Sequence, residues 1–499
     1  MDLPLPQQSY QSRSRPFSSQ RLLNMIIEKS HDSLTTSNYM LIGSPGLSAY
    51  RSLVSNEPIT GAVYLRNFLV YSTATGITVM RIQQQGSIIN TQTKTWAELN
   101  LLPSGSHHVQ MVTNGDDVLV LNPVGALENG EYVGRLVVVQ GGGDMPENWQ
   151  IRRPTGQAID VPDYKSIACI AGVFVTACLM NEPGYGQKAA FVKYGAVLDP
   201  DSFAYAFQLD TALAQLTGVA SNMREIWVFS PNSVEVLAPT GEAGDDFFAH
   251  VQGAYINRGC NYANSIASYE SSFLFIGSDD VIYMSEGFNL KPISTPAILE
   301  MIARWGEKDD VFGQIFSYSG HTYYVLKFMM KTGRNYTLWY DLTTGSWIER
   351  ETGDGGDWEG NFVIRQPNGA LMVSSATAGM LYSMSYDNYT DNGVAIRREW
   401  VFPTLQSENK HRMYYYSLTL DIDSGLGPNN VVALDWSDDG GYTWNKERVL
   451  ELGKRGEYAK KIQFRRLGSS VLRTFRMRLS TSSLINVLRA TIEAEEGQV

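Results

Sequence analysis

Apolar and polar positions alternate with period two along most of this chain, in short runs that end at Gly, Asp or Asn. From about residue 60 to 395 the runs come in pairs, as in GAVYLRNFLVYST (61–73), DDVLVLNPV (116–124), EIWVFSPNSVEVLAP (225–239) and SSFLFIGSDDVIYMSEG (271–287). HTYYVLKFMM (321–330), YTLWYDLTTGSW (336–347) and GALMVSSATAGMLYSMS (369–385) continue the series. Period two puts successive side chains on opposite faces of a strand, and the punctuating residues supply tight turns. Each stretch therefore reads as strand, turn, strand. NGDDVLVLN (114–122) and GSDDVIYMS (277–285) resemble one another. Units recurring at roughly 40–55 residues match four-stranded propeller blades, and about six blades are expected.

Beyond residue 395 the runs lengthen. MYYYSLTLDID (413–423), NVVALDWSDDGGYTWNKERVLEL (430–452), KKIQFRRLG (460–468), RTFRMRLS (473–480) and NVLRATIEAE (486–495) predict a β-sandwich. One segment has helical spacing instead: STPAILEMIARW (294–305) offers Ser294 or Thr295 as N-cap and Pro296 in the first turn. Residues 1–20 lack periodicity and are expected to form an extended arm, ordered against a neighbour; RLLNMIIEK (21–29) suits a short helix or strand. The expected fold is mainly β, a β-propeller with insertions plus a C-terminal β-sandwich-like domain. Its divisions are an N-terminal arm and lead-in over 1–60, the propeller over 61–395 and the sandwich over 396–499.

Composition agrees with this pattern. Among 499 residues, 45 Gly, 27 Tyr and 10 Trp favour many turns and aromatic-rich strands. A net charge of −11 excludes a surface that grips nucleic acid throughout. Cys169, Cys178 and Cys260 are an odd number without a C-x-x-C pair, which predicts buried free thiols in a reducing cytoplasm. The first 20 residues lack the apolar core of a signal peptide. IACIAGVFVTACLM (167–180) is too short to span a bilayer as a helix and reads as two buried strands, so no membrane-spanning segment is expected.

One motif raises a catalytic question. In WSDDGGYTW (436–444), Ser437, Asp439, Gly441, Thr443 and Trp444 fit S-x-D-x-G-x-T-W, the Asp box best known from sialidase propellers. Its chemistry is that of a turn: glycines permit positive φ, and a carboxylate accepts hydrogen bonds from turn amides. The paired acids Asp116–Asp117, Asp245–Asp246, Asp279–Asp280, Asp309–Asp310 and Asp438–Asp439 mostly adjoin Gly or Asn in apparent turns. DNYTDNG (387–393) fails calcium-loop spacing at Tyr389, and QGGGDMP (140–146) lacks the Lys-Ser/Thr of a phosphate loop. His31, His107, His108, His250, His321 and His411 form no zinc motif, and no G-x-S-x-G elbow occurs. No enzyme, metal or cofactor is expected. A sialidase-type propeller glycosidase or glycan-binding protein stands as the alternative.

Charge is distributed more tellingly. Residues 454–478 carry Lys454, Arg455, Lys460, Lys461, Arg465, Arg466, Arg473, Arg476 and Arg478 against one acid, Glu457. Alternation with Phe475, Met477 and Leu479 places Arg476 and Arg478 on one exposed strand face. Such a face suits solvent, an acidic surface on a neighbouring subunit, or DNA phosphates.

Taken in order, the segments resemble the tail-hub proteins of short-tailed phages, also called packaged-DNA stabilisation proteins or tail nozzles. The stretches that carry the likeness begin with SYQSRSRPFSSQRLLNMIIEK (9–29) and SPGL (44–47). SVEVLAPTG (233–241), RGCNYANSIASYESSFLFIGSDDVIYMSEGFNLKPIST (258–295) and the region 320–350 follow. SDDGGYTWNKERVLELGKRGEYAKKIQFRRLG (437–468) and the arginine-rich strand complete the set. The resemblance implies a homo-hexameric ring below the portal and its adaptor protein, in the virion tail, assembled in the host cytoplasm. Such a ring retains packaged dsDNA, forms part of the ejection channel without sequence-specific binding, and docks tail spikes or fibres and a needle or plug. Arg465, Arg466, Arg473, Arg476 and Arg478 are the expected interface residues, and the Asp box is expected to be a structural turn before them.

Overall fold

In the computed structural model, the described residues are 1–497 except 31–37, 83–87, 129, 144, 156–161, 182–187, 211–214, 223, 424–429 and 459. His31 and Asp144 lie outside them. Four-stranded antiparallel sheets occupy 61–95, 110–152, 163–208, 218–250, 267–292 and 308–350. A further one combines 360–385 with the strand Gly46–Ser52 from far upstream. The innermost strand of each sheet lies beside that of the next, and Gly360–Arg365 returns to Gly61–Leu65, so the sheets close into a ring. The described residues thus form seven blades, numbered here in chain order, where the repeat spacing predicted about six. The seventh blade takes its outermost strand, Gly46–Ser52, from another part of the chain.

Blade packing explains why alternation fades in the middle strands. Phe68–Ser72 is buried at every position, because both faces of a blade are covered by its neighbours. The apolar stretch at 167–180 is the hairpin Asp163–Ile170 and Val173–Asn181, turning at Ala171 and Gly172 with φ of 50° and 77°. Between blades five and six runs the helix Pro296–Trp305. Its Thr295 side chain accepts a hydrogen bond from the Ile298 amide at 3.3 Å, and Ala297, Ile298 and Ile302 are buried.

The C-terminal part is a two-sheet sandwich. One sheet orders Met25–Lys29, Tyr39–Gly43, Asn486–Glu496, Met413–Ile422 and Ile462–Ser470, with Asp2–Leu3 beside Asn486–Glu496. The other runs from Ser19–Leu23 through Val394–Val401 and Leu472–Thr481 to Val431–Ser437 and Arg448–Glu451. Leu418, Leu434, Phe475, Met477 and Val487 pack between them. Residues 1–29 are woven into this domain rather than extended towards a neighbour: Leu3, Leu5, Leu22 and Leu23 are all buried. Their apolar positions fit the two sheets, which is why the expected arm is absent.

The strand Ser19–Leu23 joins the two domains. It lies parallel to Ser346–Arg350 of blade six and antiparallel to Val394–Val401 of the sandwich. Asn24, with φ of 55°, then turns the chain into the opposite sheet. Its amide donates to the carbonyls of Glu351 and Arg397, and its side-chain oxygen accepts from Arg350 Nη1 at 2.8 Å. Arg21 stands in the same seam, with Nη2 at 2.6 Å from Glu349 Oε2, Nη1 at 3.1 Å from Glu399 Oε1, and Glu351 Oε1 at 3.4 Å. Burial opposes ionisation of Glu399, yet Arg21, Arg397 and Arg476 hold its carboxyl below the usual range. The stability it contributes is therefore full above pH 4.5, the ordinary value, and is lost as pH falls through the lowered folded value.

Arg21→Ala leaves Glu349 and Glu399 buried without their shared cation and is expected to cost about 3–5 kcal/mol in urea denaturation at neutral pH. A loss under about 1 kcal/mol would show that the seam behaves as a solvated surface pair.

Candidate functional site

The Asp box sits at the end of Val431–Ser437 and is built almost wholly from its own hydrogen bonds. Asp439 Oδ1 accepts from the amides of Tyr442 and Thr443 at 2.9 and 3.0 Å and from the Ser437 hydroxyl at 2.6 Å. Oδ2 accepts from the Thr443 hydroxyl at 2.6 Å, and the Gly441 amide donates to Ser437 Oγ at 2.6 Å. Although slight burial opposes ionisation, these donors hold the Asp439 carboxyl far below its ordinary value. Gly440 and Gly441 have φ of 80° and 100°, and Pro16 packs so closely on Gly440 that a Cβ there would lie 2.6 Å from its backbone. Arg15 Nη1 donates to the Gly441 carbonyl at 2.9 Å, and the Ser19 hydroxyl donates to that of Gly440. The turn therefore clamps the N-terminal segment against the sandwich. Trp444 is covered by the Arg476 guanidinium, 4.0 Å above its ring.

The arginines divide into two groups. Leu472–Thr481 is a central strand, and Phe475, Met477 and Leu479 face the core as their alternation predicted. Arg476 and Arg478 lie on the other face but are not an open patch. Arg476 Nε and Nη2 form a bidentate pair with Asp435 at 3.0 and 2.5 Å; Arg478 Nη2 reaches Asp435 and Glu447 at 3.0 and 2.9 Å. Arg473 is 2% exposed, bidentate to Asp438 at 2.7 and 2.9 Å, and stacks over Tyr415 and Trp436. The expected exposed arginine face is thus corrected at Arg476 and Arg478, where cross-strand carboxylates cover a central strand, while Arg473 has the parity of Phe475 and is buried.

Arg465 and Arg466 differ. They lie on Ile462–Ser470, at the edge of the other sheet, and both are exposed. Among the described residues Arg465 donates only to the neutral Gln463 side chain, at 3.0 and 2.9 Å. Arg466 has φ of 59° beside a register shift opposite Tyr415 and Ser417. With Tyr414, Tyr416, Gln463 and Glu493 they line a shallow groove. Exposed Lys454, Arg455, Tyr458 and Lys461 lie in or beside the loop leading into that strand. Tyr414 and Tyr416 were missed by sequence, although alternation in MYYYS puts them on the parity opposite buried Tyr415.

The catalytic alternatives can be placed as well. Asp116 pairs with Arg66, Asp279 with Arg258 and Asp438 with Arg473, Asp117 accepts from the Gly141 amide, and Asp310 accepts from Asn264. Asp391 of the 387–393 segment is buried against Arg350 and Thr352. His108 packs against Phe312 and Phe362, and burial lowers it to about 4. Burial raises the Cys169, Cys178 and Cys260 thiols to about 11, 12 and 12. Among the described residues no group of His, Cys, Asp and Glu is arranged to hold a metal, and no helix is long and apolar enough to cross a membrane. A cavity between blades one, six and seven is lined by Lys327, Asp357, Trp358, Glu359 and Asn361. Asn335 binds Asp357 at 3.0 Å, while Ser375 and Tyr382 bind Glu359 at 2.6 and 2.8 Å, so both carboxylates are held as acceptors. Burial lowers the Lys327 ammonium to about 8 against the opposing pull of Asp357 and Glu359.

Comparison with known proteins gives two family matches in chain order. The model described as "Bacteriophage P22 Gp10, beta-propeller" matches residues 200–389, and "Bacteriophage P22 Gp10, beta-sandwich" matches 398–495. Together they take in more than half of the chain. No curated protein matches. Among solved structures, an exo-beta-1,3-galactanase from Phanerochaete chrysosporium is 9% identical, with TM-score 0.28 over 77% of this chain and 95% of its own. A glycoside hydrolase family 43 arabinoxylan arabinofuranohydrolase from Bacillus subtilis is 9% identical, with TM-score 0.24 over 90% and 99%. Likeness at that level carries no argument about activity.

Charge reversal separates the two groups of arginines. Arg476→Glu, which sets a second carboxylate beside Asp435, is expected to lower the melting temperature by several degrees, whereas Arg465→Glu leaves it within error. Equal melting of the two variants would contradict this division. Lys327→Met removes a group whose folded value lies below its ordinary 10.5. In that window the unfolded chain binds more protons, so the native protein gains stability relative to the variant as pH rises from about 8 to 10.5. Parallel pH profiles in denaturant titration would count against a buried ammonium.

Proposed function

The chain belongs to the bacteriophage P22 Gp10 family of phage tail-hub proteins, whose domains are structural and not enzymes, and from that premise we propose the part it plays in the tail. It assembles as a hexameric ring beneath the portal and adaptor, keeps packaged DNA inside the head, and forms a section of the conduit through which the DNA later leaves. Tail spikes or fibres and a needle or plug dock on it, and assembly takes place in the host cytoplasm.

The observation that carries this reading is the order of the two matched domains, propeller then sandwich, fused by a shared seam of strands. Several physical features support it. A chain of net charge −11 repels DNA phosphates, which suits a passage that must release its cargo. The groove at Arg465 and Arg466 pairs guanidinium groups with exposed tyrosines, the composition that anchors protein interfaces. We propose these two arginines as assembly contacts, with Arg473, Arg476 and Arg478 acting indirectly by holding the sandwich sheet in shape. No observation favours the glycosidase alternative.

Particles assembled without this chain are expected to fill with DNA and then lose it, becoming sensitive to nuclease. Supplying the purified chain with its adaptor should restore retention and show a ring at the portal vertex in negative-stain microscopy. Full retention without the chain, or a chain that never enters tails, would overturn the reading.

A further inference from the structure

Several surface charges are balanced within the chain. Asp2 pairs with Arg489, Asp116 with Arg66, Asp201 with Arg152, Glu286 with Lys291, Glu307 with Lys331, and Asp354 with Arg397. Two patches depart from this. At the sandwich, Lys454, Arg455, Lys461, Arg465 and Arg466 are exposed and, among the described residues, have no ion pair. At the outer turn of blade four, exposed Glu242, Asp245 and Asp246 likewise have no cationic partner among the described residues.

The blade-four turn is also held in a fixed shape. The Tyr194 hydroxyl donates to the carbonyls of Gly244 and Asp245, both at 3.1 Å, and Thr240 Oγ1 donates to that of Asp246 at 2.6 Å. The Tyr194 ring meets those of Tyr205 and Phe247 at a tilt and that of Phe248 edge-on beside it. Its carboxylates therefore stand on a rigid base, which lowers the entropy cost of binding a partner.

The sandwich is spliced to blades six and seven, through Ser346–Arg350 and through the Gly46–Ser52 strand beside Thr390–Asp391. Blade four lies two blades round the ring from blade six, and the acidic turn and the basic groove are unlike surfaces on different domains. We propose that the Tyr414–Tyr416–Arg465–Arg466 groove receives the Glu242–Asp246 turn of a second copy of this chain. This contact is heterologous, joining unlike surfaces of identical chains, which is the kind that closes rings. It rests on the ring reading above and specifies which surfaces meet. The groove sets Tyr414, Tyr416 and Glu493 beside its two guanidinium groups, with the Tyr416 hydroxyl donating to Glu495 at 2.9 Å, a mixed aromatic and charged lining of the kind found at protein interfaces.

Charge exchange on the full-length chain tests this. R465E/R466E alone and E242K/D245K/D246K alone are each expected to reduce ring particles at least tenfold in negative stain, with unchanged circular dichroism and melting temperature. Mixing the two variant chains should restore rings in which they alternate, since the acidic groove of one meets the lysine turn of the other and the next contact is wild type; combining all five substitutions in one chain should restore them as well. Rings that survive either set of reversals, or correctly folded five-fold variants that remain monomeric while the wild type forms rings, would overturn the pairing and leave the ring reading intact. Duplex DNA binding that falls with R465E/R466E while ring yield is unchanged would overturn it in favour of a phosphate site. A wild type that forms no ring, with or without adaptor, would instead fail the ring reading itself.

Discussion

Arg21 gathers Glu349, Glu351 and Glu399 at the point where a propeller blade, an N-terminal strand and a sandwich strand meet. Three carboxylates taken largely out of water would drive these elements apart unless a cation stood among them. Arg397 and Arg334 extend the set by pairing with Glu399 and Glu351, and Arg350 lies buried behind it against Asn24 and Asp391. The domains are therefore joined by backbone pairing locked by buried charge, and not by a flexible linker.

Much of this architecture was legible from the chain. Paired alternating runs gave the blades, the Pro296 helix followed from its cap and spacing, and the parity of Phe475, Met477 and Leu479 marked the inner face of a sandwich strand. What was not legible depended on distant partners. Gly46–Ser52 reads as a short lead-in until Met380–Ser385 is seen beside it. Residues 1–20 look like an arm because Asp2–Leu3 and Ser19–Leu23 pair with strands more than three hundred residues away.

The basic run shows the same limit. Alternation told which side of the sheet Arg476 and Arg478 occupy, but Asp435 sits on a different strand, and only register brings it between them. Arg465 and Arg466 share the run yet stay open because their strand is at a sheet edge. Local sequence encodes the face; neighbour identity decides whether that face is available. The Asp box follows the same logic, since its own hydrogen bonds are local while its role as a clamp on Arg15, Pro16 and Ser19 is not.

Closure of the seventh blade has a consequence for the timing of synthesis. Its outer strand, Gly46–Ser52, emerges early from the ribosome, but Met380–Ser385 emerges more than three hundred residues later. The strand that splices the domains waits as long for Ser346–Arg350, and Asp2–Leu3 waits longer still for Asn486–Glu496. Contacts of such separation form late, because the closure entropy of the intervening chain must be met first. Neither the ring of blades nor the seam beside it is complete until residues 385 and 401 have been made. A product truncated before residue 346 would lack both.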